Sequence, residues 1–184
     1  MASNDTKLGG GLASGMFFHA PAGTALPTYP GEELDTAWKT VGDISEEGIV
    51  WNTARSFESL KNWALEIKRL LPGTDAQTVQ APIMDTTEEV FKTLFGAENV
   101  KKTPATADHG VLLTVDTSSM NTPSAEAFLF IMKDGDDMIM LGTENGFITE
   151  LSDVNFKATD AINWQSTISA KSWTLVTDDG QTTV

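Results

Sequence analysis

The chain has 184 residues and a formal net charge of −14, so it is long enough for one domain with a substantial core and is strongly acidic. It contains no Cys, which excludes a disulfide framework and a thiolate metal site. Its two His lie far apart in the sequence, which argues against a His-rich metal site. Spread-out negative charge repels nucleic acid and anionic membranes, and no apolar run approaches the roughly 20 residues that span a bilayer.

Three parts follow from the composition along the chain. Residues 1–15 are polar and Gly-rich, so we predict an N-terminal arm that is disordered or orders only on a partner. Residues 16–176 carry the apolar patterns of a single β domain, and residues 177–184 form a polar tail. The first residues lack the positively charged region of a signal peptide, so we expect a protein made and kept in a cytoplasm.

The first half of the domain predicts short strands separated by Pro and Gly. We expect strands at 16–19, 38–41 and 49–51, because turn-forming residues interrupt the chain between them. A long loop over 52–62 would lead to a strand from Trp63 to Leu71, a tight turn at Pro72–Asp75, and a strand from Ala76 to Met84. Pro82 has no N–H to donate, so that last strand should lie at a sheet edge or a bulge.

One short α-helix is predicted at about residues 86–95. Asp85 or Thr86 can cap its N-terminus, acidic residues follow in the first turn, and Gly96 can end it. Its apolar residues recur at helical spacing, which indicates a helix that packs against the core.

The second half reads as β-structure after a loop over 98–109. We expect strands at 111–115, 125–132, 138–141, 147–156 and 162–173, with a hairpin turn at Asp134-Gly135 and a turn or bulge at Asn145-Gly146. The fold class predicted from these patterns is mainly β, an antiparallel β-sandwich or barrel with one short helix.

Residues that could carry catalysis or bind a metal do not form a convincing site. The cluster Asp134, Asp136 and Asp137 favours a hairpin turn over a weak cation site, because strands rather than helices flank it. Asp108-His109 has no Ser in a Gly-x-Ser-x-Gly setting to complete a triad. We therefore predict neither an enzyme nor a cofactor.

The chain contains five Trp, which is the unusual feature of its composition. Trp51, Trp63 and Trp164 fall on predicted strands and are most simply core residues. Trp63 also borders the predicted long loop, and aromatic side chains in such a place fit an interface that buries them. Both interpretations of Trp63 stay open at this point.

A resemblance rests on the segment from His19 to Trp51. It contains an APAGTALP turn, an acidic linker with a Leu and an aromatic residue, and a VGDISEEGI segment. This order resembles the N-terminal part of major tail tube proteins of long-tailed, non-contractile bacteriophages, in the form found in phages of Gram-positive hosts. The similar order of downstream elements extends the resemblance over residues 16–173.

The resemblance implies a tail-tube-like fold and a structural role in the virion tail, with assembly in the host cytoplasm. Such proteins form rings, usually of six subunits, which stack into a hollow tube that carries double-stranded DNA without specific binding. The implied partners are further copies of the chain, a tape measure protein, and tail terminator and tip proteins. The resemblance further implies that the N-terminal arm and the 52–62 loop reach the adjacent ring.

Mapped onto this sequence, the resemblance gives a set of candidate site residues. The candidates for contacts between rings or subunits are Phe17, Phe18, Arg55, Phe57, Leu60 and Trp63. The candidate acids facing the lumen are Glu66 and Asp75, on the predicted strand pair 63–84. The alternative hypothesis is a monomeric β-sandwich module that binds carbohydrate, with Trp38 or Trp173 in a sugar-stacking groove.

Overall fold

The structure is a computed structural model that describes residues 10–11, 17–53, 57–72, 76–118, 123–156 and 161–180. These residues form one α-helix, α1 (Glu88–Phe95), and a short 3-10 helix, Ala97–Asn99. The strands in the described part of the chain are β1 (Gly10–Gly11), β2 (Phe17–Pro21), β3 (Lys39–Gly42), β4 (Val50–Asn52), β5 (Phe57–Lys61), β6 (Ile67–Pro72), β7 (Gln77–Ile83), β8 (Val100–Thr103), β9 (Leu112–Val115), β10 (Glu126–Asp134), β11 (Asp137–Leu151), β12 (Trp164–Ala170) and β13 (Thr174–Asp178).

The strands form an antiparallel β-sandwich, as the sequence predicts, and the sheet is not closed into a barrel. The hydrogen-bonded order is β3-β2-β10-β11-β12-β7-β4, with β1 added on β10 and β13 added on β11. The long strand β11 belongs to both layers of the sandwich. Its first half pairs with β10 and β13 in the first layer, and its second half pairs with β12 in the second layer. At this change of partner, a Cβ on Gly146 would lie 2.9 Å from the Phe128 ring, so only Gly fits there.

The main core lies between the two layers and is built from alternate residues of the central strands. Phe17 is fully buried and stacks on Phe130 with a centroid distance of 4.5 Å. The side chains of this core that come from strands and helix are Phe17, Val41, Val79, Ala81, Ile83, Val90, Leu94, Phe128, Phe130, Leu141, Ile168 and Ala170.

A second apolar cluster covers the outer face of the first layer. It contains Leu129 and Ile131, which alternate along β10 with the inward-facing Phe128 and Phe130. The segment 22–38 packs on this face through Leu26, Leu34 and Trp38. The strand β10 is therefore buried on both faces, which explains its unbroken apolar sequence.

Helix α1 matches the prediction in position, with one difference at its N-terminus. The cap is Thr87, whose hydroxyl accepts a hydrogen bond from the Val90 N–H at 3.3 Å, and not Asp85 or Thr86. The helix ends at Gly96, which has φ +87°, and its buried face contributes Val90 and Leu94 to the main core. The predicted Asp134-Gly135 hairpin turn is also confirmed, with Gly135 at φ +64° and Asp134 paired with Asp137.

The prediction that the strand containing Pro82 lies at a sheet edge or a bulge is wrong, because β7 lies between β12 and β4 and pairs with β12 without a register shift. The carbonyl of Pro82 accepts a hydrogen bond from the Ser45 N–H at 2.9 Å, on the side of β7 away from β12. The proline nitrogen faces the same side, beyond the last β4 pair, Val50 with Gln80. No neighbouring strand requires a backbone N–H donor at Pro82, so the proline does not interrupt a pair of strands.

Several sequence predictions of strands and loops are wrong. The 52–62 segment contains β5, and Trp63 lies in a turn instead of beginning a strand. The predicted loop over 98–109 contains the 3-10 helix and β8, which pairs with β9. The segments 138–141 and 147–156 belong largely to the single strand β11, and β13 was not predicted. Cross-strand pairing decides each of these cases, and local composition does not report it.

The predicted N-terminal arm lies mostly outside the described residues. Within it, Gly10 and Gly11 pair with Lys133 and Met132 of β10. Among the described residues, no helix is long and apolar enough to cross a membrane.

Candidate functional site

The most distinctive surface feature is the hairpin formed by β5 and β6. Its two strands pair with each other as a separate two-stranded sheet, from Phe57 opposite Pro72 to Lys61 opposite Ile67. The strands before and after it, β4 and β7, are neighbours in the main sheet. The hairpin is therefore an excursion from the end of the sandwich where β7 begins at Gln77.

The turn of this hairpin is held by a compact set of hydrogen bonds. The backbone N–H of Asn62 donates to the Glu66 carbonyl at 3.0 Å, and the N–H of Leu65 donates to the Asn62 carbonyl at 3.0 Å. The Asn62 side chain also bonds to Glu66 twice, through its Oδ1 and its Nδ2, at 2.9 and 2.8 Å. A three-residue loop of this kind places its last residue in the left-handed region, and Leu65 has φ +61°.

The hairpin exposes a group of large apolar side chains. Trp63 is fully exposed, and the exposed fractions of Leu65, Ile67 and Leu60 are 77%, 60% and 52%. Contiguous exposed apolar side chains on a protein surface mark a site of interaction. An isolated two-stranded hairpin is also marginally stable in water, so a partner that covers these side chains would stabilise it.

The charges of the hairpin differ from those of the rest of the chain. The hairpin contains three basic residues, Lys61, Lys68 and Arg69, and two acidic residues, Glu58 and Glu66, so its net charge is +1 in a chain of net charge −14. The side chain of Lys68, with Nζ 3.0 Å from Glu66 Oε2, and then the Asn62 amide lower the pKa of Glu66 below its ordinary value. Glu66 is thus held ionised as part of the turn.

The structure places the predicted contact residues in three different environments. Phe17 is in the main core, which leaves no surface of its side chain for a neighbouring subunit, and Phe18 is half-buried against the outer cluster. Leu60 and Trp63 are exposed together on the hairpin, and the backbone of Phe57 begins β5. Arg55 lies outside the described residues.

Of the two predicted lumen acids, only Glu66 belongs to the described residues. Glu66 is exposed in the hairpin turn, and Asp75 lies outside the described residues. The sequence reasoning missed Leu65 and Ile67 as surface residues. The one available signal was the group of large apolar residues from Leu60 to Ile67 beside charged ones, which a strand with one buried face also explains.

The two Trp that the carbohydrate-binding hypothesis places in a sugar-stacking groove are buried. Trp38 and Trp173 are both only 8% exposed, and the indole N–H of Trp173 donates to the Gln77 carbonyl at 3.3 Å. In the described part of the chain, no cluster of three or more His, Asp or Glu side chains is arranged to hold a metal ion.

Comparisons with known proteins were made by structure, by sequence and by family model. A search of solved structures finds similarity to the cryo-EM structure of the anti-feeding prophage cap, a tube terminating cap. That match has a TM-score of 0.47 and 12% identity, and it covers 97% of this chain and 100% of the other. A search of curated proteins finds no match. The family model described as phage tail tube protein matches residues 1–174. The chain therefore belongs to the phage tail tube protein family.

Proposed function

We propose that this structural tail protein polymerises as stacked rings of six subunits into the tube through which DNA leaves the virion. Membership of the family supports the structural role in the tail. The single observation that supports polymerisation is the exposed apolar hairpin β5–β6, with Trp63 at its turn. The implied partners are other copies of the chain, a tape measure protein, and terminator and tip proteins, which meet it in the host cytoplasm.

Contacts within a ring would use the unpaired edges of the sandwich. In the described part of the chain, β3 has a ladder partner only in β2, and β4 has one only in β7. An unpaired edge presents free N–H and C=O groups that accept a strand from another chain. A cyclic arrangement satisfies these groups in every subunit and closes the ring.

Contacts between rings would use the hairpin, because it extends beyond the sandwich and exposes the apolar side chains that need cover. Trp63 should be an energetic hot spot, since large aromatic side chains dominate such interfaces. Residues 1–15 are the second proposed inter-ring segment. Their removal should also prevent assembly, whereas a monomeric binding module would be unaffected.

The test of the hairpin compares Trp63→Ala with Tyr29→Ala. Both residues are exposed aromatics, but Tyr29 lies in the segment that covers the outer face of the first layer. We expect Trp63→Ala to abolish tubes or to raise the concentration needed for assembly at least tenfold, about 1.4 kcal/mol per contact. Tyr29→Ala should assemble normally. Sedimentation and negative-stain microscopy measure both, and equal assembly of the two variants would contradict the proposal.

The lumen is proposed to be acidic, with Glu66 and Asp75 among its residues. Duplex DNA carries one negative charge per roughly 1.7 Å of axis, so basic walls would hold it and acidic walls let it slide. Asp75→Lys should leave tubes intact and slow DNA ejection from the virion; Glu66 is left unchanged in this test, because its carboxylate helps to hold the hairpin turn. Ejection kinetics equal to those of the unmodified particle would refute this assignment.

A further inference from the structure

A cavity of about 430 Å³ opens beside the C-terminal end of α1. Its apolar wall is formed by Phe95 of α1, Ile148 and Leu151 of β11, and Trp164 of β12. The volume lies within the roughly 300–1,000 Å³ of pockets that enclose small organic groups. This volume is large enough to hold an indole ring.

The opening of the cavity is acidic. Glu98, Glu126 and Glu150 line it, and the described residues that line it include no Lys or Arg. Glu98 and Glu150 are exposed, and Glu126 is half-buried with its Oε2 3.1 Å from His19 Nδ1. A cationic partner with an apolar centre therefore complements this site.

The hairpin β5–β6 has the complementary character. It presents the fully exposed Trp63 at its turn, and its three basic residues outnumber its two acidic ones, which gives the hairpin a net charge of +1. When an indole is buried, its N–H requires an acceptor, and the carboxylates around the cavity can supply one. The hairpin is thus the one described surface that combines an unburied Trp with positive charge.

The cavity and the hairpin lie toward opposite ends of the same layer. Strands β7 and β12 pair from Gln77 opposite Ala170 to Ile83 opposite Trp164, which corresponds to about 20 Å. The hairpin joins the layer at the Gln77 end, whereas Trp164 lines the cavity at the other. A contact between the two features on different subunits joins unlike surfaces, and when it repeats along one axis it produces an open polymer.

We propose that Trp63 of one subunit inserts into the cavity of the next subunit along the tube. This inference rests on the proposed function and names the receptor of the hairpin. The occupant is a second copy of the chain, because the chain itself carries the complementary charge and the exposed indole. The contact repeats along the axis and fixes which face of one ring meets the next.

The chain has no Cys, so engineered cysteines can report this contact directly. We would combine Ala64→Cys, beside Trp63 in the turn, with Ser152→Cys, which lines the cavity. The matched control combines Ala64→Cys with Ser172→Cys, an exposed residue near the opposite end of the layer. Oxidation of assembled protein should give a ladder of linked subunits with Ser152→Cys and not with Ser172→Cys.

Adding Trp63→Ala to the Ala64→Cys/Ser152→Cys variant should lower the linked fraction about tenfold or more, the loss expected for a hot-spot Trp. Tubes that form without preferential linkage to Ser152→Cys would overturn the inference and leave the proposed function standing. Failure of the unmodified chain to form any tube, both alone and with the other tail proteins, would overturn both.

A charge variant tests the same contact without cysteines. Glu150→Lys places a positive charge at the cavity opening, and Glu46→Lys makes the same change at an exposed turn residue that does not line the cavity. Glu150→Lys should raise the concentration required for assembly severalfold, and Glu46→Lys should not. Equal effects of the two variants would contradict the inference.

Discussion

Leu65 combines two features that local folding preferences disfavour. Its backbone has φ +61°, a conformation that costs an L-residue with a side chain about 1–2 kcal/mol, and its apolar side chain is 77% exposed. Gly would suit the turn better, and a polar residue would suit the surface better. Strain of this kind is retained where the side chain has a role, and contact with another subunit would provide one.

Leu65→Gly separates the stability of the turn from assembly. We expect it to raise the free energy of unfolding of the monomer by up to about 1 kcal/mol, because relief of strain exceeds the entropy cost of Gly. The same variant should assemble less well, because it removes an apolar contact. Chemical denaturation and sedimentation measure the two effects.

Ala64→Gly is the control for that experiment, since Ala64 lies in the same turn without a positive φ. It should lower stability slightly and keep assembly. A Leu65→Gly variant that is less stable and assembles normally would contradict the assigned role.

Two aromatic residues show how far single positions can be predicted. The resemblance places both Phe17 and Trp63 among the contact residues, and the strand pattern also allows Trp63 in the core. In the structure Phe17 is fully buried and Trp63 fully exposed. The sequence indicates that both aromatic side chains favour burial away from water. It does not report whether the cover comes from the same chain, because Phe130 is 113 positions away from Phe17 in the sequence.

At the scale of elements, ion pairs connect helix α1 to the β8–β9 hairpin. Lys102 Nζ of β8 and Lys92 Nζ of the helix each lie 2.7 Å from a carboxylate oxygen of Glu88. Hydrogen bonds from Lys102 and then Lys92 lower the pKa of Glu88 to about 2. The folded state therefore holds Glu88 ionised more strongly than the unfolded state does.

Glu88→Gln tests this cluster through its pH dependence. The stabilising effect is fully present above the ordinary carboxyl pKa of 4.5 and is lost as pH falls through about 2. The variant should thus be less stable than the unmodified chain at neutral pH, and the difference should close between those two values. Denaturation at a series of pH values measures it.

Lys102→Met should reproduce the effect of Glu88→Gln, and the two changes together should cost less than their sum, because they remove one shared interaction. A difference that widens as the pH falls would contradict the assignment.

Elements with strong local signals could be predicted from sequence, and elements defined by pairing could not. The capped, amphipathic segment predicts α1, and Asp134-Gly135 predicts the turn between β10 and β11, because each signal lies within a few residues of the chain. The β5–β6 hairpin was predicted as a loop and a strand, since Asn62 and Leu65 form a turn without the usual Gly. The unbroken path of β11 depends on Gly146 packing against Phe128, a tertiary contact.

At the scale of the whole molecule, the two ends of the sandwich differ in charge and shape. One end carries a positive, apolar hairpin, and the other has a cavity with an acidic opening, within a chain of net charge −14. Family membership could be anticipated from the segment 19–51, but this polarity could not. Unlike ends favour head-to-tail stacking, which produces a filament without a natural limit to its length.

The most direct measurement is cryo-electron microscopy of the purified, full-length chain at high concentration. The account predicts hollow tubes of uniform width, built from stacked rings with sixfold symmetry, in which the β5–β6 hairpin of each subunit contacts the adjacent ring. Tubes in which the hairpin faces solvent would contradict the assigned interface. A chain that stays monomeric, both alone and with the other tail proteins, would contradict the proposed function itself.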